Sequence, residues 1–144
     1  QSATMLLASK SCNHNQEKSA ELVFNTLGTT HWVDSDKHIN IGTALAGSGP
    51  AFCYRFFELM IQSSTELGLP ESLAEALMHD MIQGATKLMI ENKLPLSSLI
   101  NQVQSNGGTT EAGLISFEKN GIEAIVKQAM IEAYNRAVEL STNN

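Results

Sequence analysis

From about residue 36 to residue 140 the chain is a succession of apolar helical periodicities separated by glycine, proline and asparagine breaks, a pattern that admits few folds. A mainly α architecture follows. Residues 36–46 form a first helical segment, and the hexapeptide AGSGPA at 46–51 reads as a loop whose Pro50 falls in the first turn of a long helix over 51–67. Phe52, Phe56, Leu59, Met60 and Leu67 share one face of that helix, and Cys53, Phe57, Ile61 and Ser64 make an adjacent strip. Gly68 closes it and Pro70 opens the next helix, to about residue 91, along which Leu73, Leu77, Met81, Ala85 and Leu88 recur. Met78, Ile82 and Met89 widen that face beyond the roughly 100° stripe that one neighbour needs. Short helices are expected over 95–104 and 110–119, Asn120 and Gly121 break the chain, and a last helix covers 122–140 with Ala129, Ala133 and Ala137 permitting close helix contact. The excess apolar surface of the 51–67 and 70–91 helices predicts a second copy of the chain, that is, an intertwined homodimer, with higher homo-oligomers open.

The first 35 residues read differently. SATMLLA at 2–8 is a short apolar run, residues 16–27 carry Ala20, Val23, Phe24 and Leu27 on one helical face, and TTHWV at 29–33 is rich in β-branched and aromatic residues. The order is strand, helix, strand. Gly28 falls where a left-handed helix-terminal residue is expected, and Asn13 or Asn15 is the candidate helix cap. A lone βαβ unit cannot bury both faces of its sheet, so residues 1–35 are expected to be the trailing edge of a larger α/β sheet, with residues 36–144 forming the helical domain. The chain starts at Gln1 with neither an initiator Met nor a basic-then-apolar leader, which fits an internal fragment whose other strands lie upstream.

Composition narrows the function classes. With 144 residues, 42% hydrophobic and 17% charged, the chain is neither disordered nor in need of a disulfide or metal staple. A net charge of −6, from 9 Lys and Arg against 15 Asp and Glu, argues against a nucleic-acid or anionic-membrane surface, which needs clustered cations. The uncharged stretch between Lys37 and Arg55 contains Asn40, Ser48, Pro50 and several glycines, so no spanning helix is expected. Cys12 and Cys53 have no ligand spacing and read as reduced thiols, Cys53 buried in a helix, in a cytoplasmic setting. His14, His31, His38 and His79 lack metal-site spacing, and the six Met residues read as core filler, so no metal is expected.

The segment with chemical content is LINQVQSNGGTTEAGLISFE at 99–118. A helix ends near Gln104; Ser105, Asn106, Gly107 and Gly108 make a tight turn; Thr109 and Thr110 open the next helix. The first turn of a helix leaves N–H groups unpaired at the positive end of its dipole, and glycines let an anion approach the backbone. A small carboxylate or phosphate suits such a nest, with the Ser105, Thr109 and Thr110 hydroxyls as neutral donors or acceptors. The same six residues also read as an ordinary turn with a threonine cap, the commoner use of such a hexapeptide. AGSGPA alone likewise most often just connects helices.

Taken together and in order, AGSGPAF at 46–52, GLP at 68–70, the Gly84-Ala85 pair and GGTT-x-AGL-x2-F-E at 107–118 resemble the carboxy-terminal domain of the pyrroline-5-carboxylate reductase family. The resemblance covers nearly the whole chain. It implies a helical dimerisation domain of the 6-phosphogluconate-dehydrogenase-C-terminal-like type, preceded by a βαβ remnant of the family's Rossmann sheet. The implied reaction is NADPH- or NADH-dependent reduction of 1-pyrroline-5-carboxylate to L-proline, the last step of proline biosynthesis, in which hydride adds to the C=N carbon. The resemblance implies that Ser105, Gly107, Gly108, Thr109 and Thr110 hold the substrate carboxylate. Thr110 corresponds to the family's threonine at the ring nitrogen, and as a weak acid it is expected to position that nitrogen or a relaying water. Ser48 and Pro50 are expected near the nicotinamide end of the cleft.

Two departures stand out. The family usually has Pro where this chain has Asn106, which loosens the loop, and a small residue where it has Gln104, which crowds or hydrogen-bonds the site. No GxGxxG follows a strand, so the chain alone is expected not to bind a dinucleotide productively and to be inactive. Two other readings remain beside the reductase: a non-catalytic helical oligomerisation module whose NGG loop is only a turn, and a related reductase acting on another imino or keto acid.

Overall fold

The computed structural model describes residues 2–142. It falls into two compact units, Gln1–Ala51 with Lys127–Asn144, and Phe52–Val126.

The first unit holds two parallel strands, β1 (Ser2–Leu6) and β2 (Gly28–Trp32), in register Ser2 to Gly28 through Leu6 to Trp32. Parallel pairing needs a crossover, here helix α1 (His14–Phe24). Asn13 caps it: its Oδ1 accepts the Asn15 and Gln16 amides at 3.0 and 3.1 Å, while Gln16 Oε1 accepts the Asn13 amide at 2.9 Å. This reciprocal arrangement starts the helix two residues earlier than apolar periodicity alone indicates. The helix ends through Asn25, whose N–H reaches Glu21 O at 2.9 Å in a right-handed conformation. Gly28 is therefore not the left-handed terminus expected of it. It is the first residue of β2, lying so close to the Ser2 backbone that a Cβ would overlap Ser2 N and O. Close strand approach, not positive φ, requires glycine there.

Ser35 caps helix α2 (Asp36–Gly42), its Oγ accepting the His38 amide at 3.3 Å. Beyond Gly42 the backbone does not break into the expected AGSGPA loop. It continues as one wide π turn over Thr43–Gly47, closed by Ser48 N–H to Thr43 O at 3.0 Å, and enters α3 (Gly49–Glu66) directly. Ser48 stays right-handed, and Pro50 falls in the first turn of α3, where its missing N–H leaves no bond unmade. Packing accounts for the difference: Ala44 in this turn is fully buried, and Met5 of β1 lies against Gly42 so closely that a Cβ would meet its sulfur.

The second unit contains most of α3, then α4 (Glu71–Asn92), α5 (Leu96–Val103), α6 (Thr109–Lys119) and the start of α7 (Ile122–Thr142). Left-handed Gly68 and Gly121, at φ of 104° and 74°, end α3 and α6, and Pro70 and Pro95 sit at the caps of α4 and α5. Lys93 ends α4 in a left-handed conformation without being glycine. Phe56 and Phe117 meet edge to face at 6.0 Å, tying α6 to α3.

Burial departs from expectation in one register detail. Along α4 the stripe Ala74, Met78 and Ile82 turns inward, whereas Leu73, Leu77, Met81 and Leu88 are exposed. On α3, Phe57, Ile61 and Ser64 are half-buried, but Cys53 is exposed rather than buried as expected, and Cys12 is exposed too. Of the methionines only Met78 is buried, so Met60, Met81 and Met89 are surface residues of this chain rather than core filler. Among the described residues no helix is long and apolar enough to cross a membrane.

The Ser2–Gly28 approach gives a direct check. Gly28→Ala is expected to destabilise the protein by about 1–3 kcal/mol through overpacking against strand β1, read as a lower urea midpoint. Asn13→Ala is expected to cost about 1 kcal/mol through the lost cap.

Candidate functional site

Helix α5 ends at Val103, and Gln104 turns extended with its N–H on Ile100 O at 3.1 Å. The next four residues form a tight turn closed by Gly108 N–H to Ser105 O at 2.9 Å. Its third residue, Gly107, has φ of 71°, the type II pattern, which favours glycine at that place and proline at the one before. That preceding place belongs to Asn106. Gly108 is the extended cap of α6, and a Cβ on it would run into Ser105 Oγ and the Ser105 carbonyl oxygen. The first intrahelical bond of α6 is Ala112 N–H to Gly108 O at 3.2 Å, which leaves the amides of Thr109, Thr110 and Glu111 at the helix start.

Neither threonine caps the helix: Gly108 does, and among the described residues neither Thr109 nor Thr110 Oγ makes a hydrogen bond within the chain. Thr110 is half-buried and Thr109 and Ser105 are exposed. The structure thus brings Ser105, Gly107, Gly108, Thr109 and Thr110 into one turn with free hydroxyls and helix-terminal amides. Helix-terminal amides and hydroxyls of this kind are chemically suited to a small anion. Gln104 is half-buried at its entry.

One residue that bonds to this turn was not singled out by the sequence. Glu111 Oε2 accepts the Gly107 amide at 2.6 Å, so a carboxylate of the chain itself lies on the turn. The available signal was a glutamate three residues past the helix cap, the spacing of a capping box. The usual partner, the cap residue's own N–H, is taken here by Ser105 O, so Glu111 reaches one residue further out.

Ser48 and Pro50 lie in the other compact unit, Ser48 half-buried after the π turn and Pro50 exposed in the first turn of α3. The βα connection of that unit, residues 7–13, contains no glycine, and two amides at the start of α1, those of Asn15 and Gln16, are already taken by the Asn13 side chain. This connection does not fit the pyrophosphate of a dinucleotide, which requires open amides and close backbone approach. Among the described residues no group of three or more His, Cys, Asp or Glu side chains is placed to hold a metal ion.

Comparison with known proteins places this turn in context. Residues 36–140 match the family model of pyrroline-5-carboxylate reductase dimerisation. A pyrroline-5-carboxylate reductase of Staphylococcus haemolyticus is 39% identical over 129 residues, covering 90% of this chain and 47% of that protein. One from Pseudomonas aeruginosa is 33% identical over 141 residues, covering 98% and 52%. Among solved structures, a pyrroline-5-carboxylate reductase from Coxiella burnetii superposes with a TM-score of 0.88 at 33% identity, over 96% of this chain and 51% of that one. The Plasmodium falciparum pyrroline carboxylate reductase, solved with NADP bound, superposes with a TM-score of 0.84 at 30% identity, over 94% and 51%. The chain spans about half the length of the curated relatives it matches.

The turn geometry predicts two opposite effects on stability. Gly107→Val is expected to cost about 1–2 kcal/mol, because a side chain is disfavoured at positive φ. Asn106→Pro, at a negative φ and with no bonded N–H, is expected to add about 0.4–1 kcal/mol by restricting the unfolded chain. Denaturant unfolding measures both.

Proposed function

The chain belongs to the pyrroline-5-carboxylate reductase dimerisation family, and on that premise we propose that it is the dimerisation and substrate-holding part of an NAD(P)H-dependent reductase that converts 1-pyrroline-5-carboxylate to L-proline. The observation that carries this reading is the type II turn at 105–108 opening onto the start of α6, with three helix-terminal amides and unengaged Ser105, Thr109 and Thr110 hydroxyls. A carboxylate bound there takes fixed backbone dipoles in place of water and needs no cationic side chain to be ordered around it.

In this reading Ser105, Gly107, Gly108 and Thr109 hold the carboxylate. The half-buried Thr110 hydroxyl turns the ring nitrogen toward the reacting side, as a hydrogen-bond partner or through a water. The task is orientation, which alone accounts for large rate effects when the reacting atoms are held in place. The dinucleotide would be held by other residues of the complete protein, since the βα connection at 7–13 does not fit it; by itself this chain would be inactive. The domain assignment goes with this: residues 1–35 as the end of the nucleotide-binding domain, residues 36–144 as the helical domain, with Ser48 and Pro50 toward the nicotinamide. The family match beginning at residue 36 supports that division.

Homodimerisation is supported by the exposed apolar faces of α3 and α4, where Leu73, Leu77 and Met81 remain 46%, 52% and 42% accessible. Sedimentation at micromolar concentration is expected to show a dimer or a larger homo-oligomer; a monomer would remove that part of the reading. In the complete reductase, Thr110→Ala is expected to lower turnover of the imine about 10–100-fold while leaving the Kd for NADPH unchanged. Unaltered kinetics would take Thr110 out of the mechanism.

A further inference from the structure

The Glu111 carboxylate sits on an amide of the very turn read above as a carboxylate cradle. Its hydrogen bond to the Gly107 N–H, at 2.6 Å, is short and charge-assisted. Hydrogen bonds among Ser105, Gly107, Gly108 and Glu111 determine this placement. Gly108 N–H is already engaged by Ser105 O, so the ordinary capping partner is taken, and the amide of left-handed Gly107 donates to the glutamate instead. The side chain is half-buried, so its charge is only partly screened.

We propose that Glu111 is an internal competitor for the ligand carboxylate and thereby the residue that sets how tightly this turn binds it. The inference rests on the reading of residues 105–110 as the carboxylate-binding turn. A ligand carboxylate arriving at the turn either displaces Glu111 from Gly107 or sits beside it, and in both cases a like charge opposes it. Glutamine at the same position keeps an oxygen acceptor for the Gly107 amide and nearly the same size but carries no charge. Glu111→Gln therefore preserves the turn while removing the repulsion. Glu111 touches neither the ring nitrogen nor the reacting carbon in this scheme, so its effect falls on binding and not on the chemical step.

The test uses the complete reductase and two probes, L-proline and L-prolinamide, which differ only in that the second lacks the anion. Glu111→Gln is expected to tighten L-proline binding about tenfold, to lower KM for the imine similarly with kcat little changed, and to leave prolinamide binding where it was. Gly108→Ala, whose Cβ meets Ser105 Oγ, is expected to weaken L-proline binding, and a thermal melt of each variant verifies the fold. If Gly108→Ala weakens L-proline binding but Glu111→Gln leaves it unchanged or weaker, the turn is the site and the competitor role is wrong. If neither variant alters L-proline binding, the site reading falls and this inference with it.

Discussion

The apolar surface on helices α3 and α4 is the constraint on which most of the structure depends. A side chain such as Leu73 or Met81 gains roughly 1.5–3 kcal/mol on full burial, and along α4 the inward stripe is taken by Ala74, Met78 and Ile82 alone. The neighbouring stripe of larger residues is left to solvent. Phe52, Phe56, Leu59 and Met60 repeat the situation on α3. Among the described residues only Ala44, Ala74 and Met78 count as buried, two of them alanines, so small residues line what the chain closes on itself. Large residues line what it leaves open. Membership of a dimerisation family gives that distribution its physical sense, because obligate interfaces resemble a core cut in half.

The turn at 105–108 works on a different principle. Its shape comes from hydrogen bonds among neighbours in sequence: Gly108 to Ser105, Ala112 to Gly108, Gly107 to Glu111. Glycine at φ of 71° makes the reversal, and the following helix supplies the dipole. Nothing in it requires a long flexible cation to be immobilised. The same locality explains why a carboxylate of the chain lies there: amides arranged to attract an anion attract whichever anion is nearest, and Glu111 is in reach from the first turn of the helix.

Most elements governed by local chemistry were legible in the sequence, and those governed by packing were not. The helix breaks at Gly68, Pro70, Pro95 and Gly121, the strand–helix–strand order of the first residues and an asparagine cap, Asn13 of the two candidates, all follow from backbone preferences acting within a few residues. The π turn over Thr43–Gly47 that carries the chain into α3 was hidden, because glycine and proline normally punctuate, whereas the burial of Ala44 and the close approach of Met5 to Gly42 accompany the turn here. Gly28 was misread for the same reason: its neighbour across the sheet, Ser2, is remote in sequence. The inward stripe of α4 is shifted by one residue from the more apolar stripe, a shift that periodicity cannot reveal when both stripes are apolar. In the candidate site, Ser105 to Thr110 were readable as a turn at a helix start, while the outward reach of Glu111 depended on Gly108 N–H being occupied already.

These two principles meet at one aromatic contact. Phe117 of α6 stands edge to face on Phe56 of α3, and Phe56 also belongs to the exposed apolar face of α3 with 40% of its surface accessible. One ring thus serves both the α3–α6 contact and the exposed apolar face of α3. Phe117 lies on the helix whose first turn carries Thr109, Thr110 and Glu111. The turn forms its own hydrogen bonds within a single chain, while the helix that carries it meets α3 at a ring contact still partly open to solvent. Local chemistry therefore shapes the turn, and apolar contact ties its helix to α3.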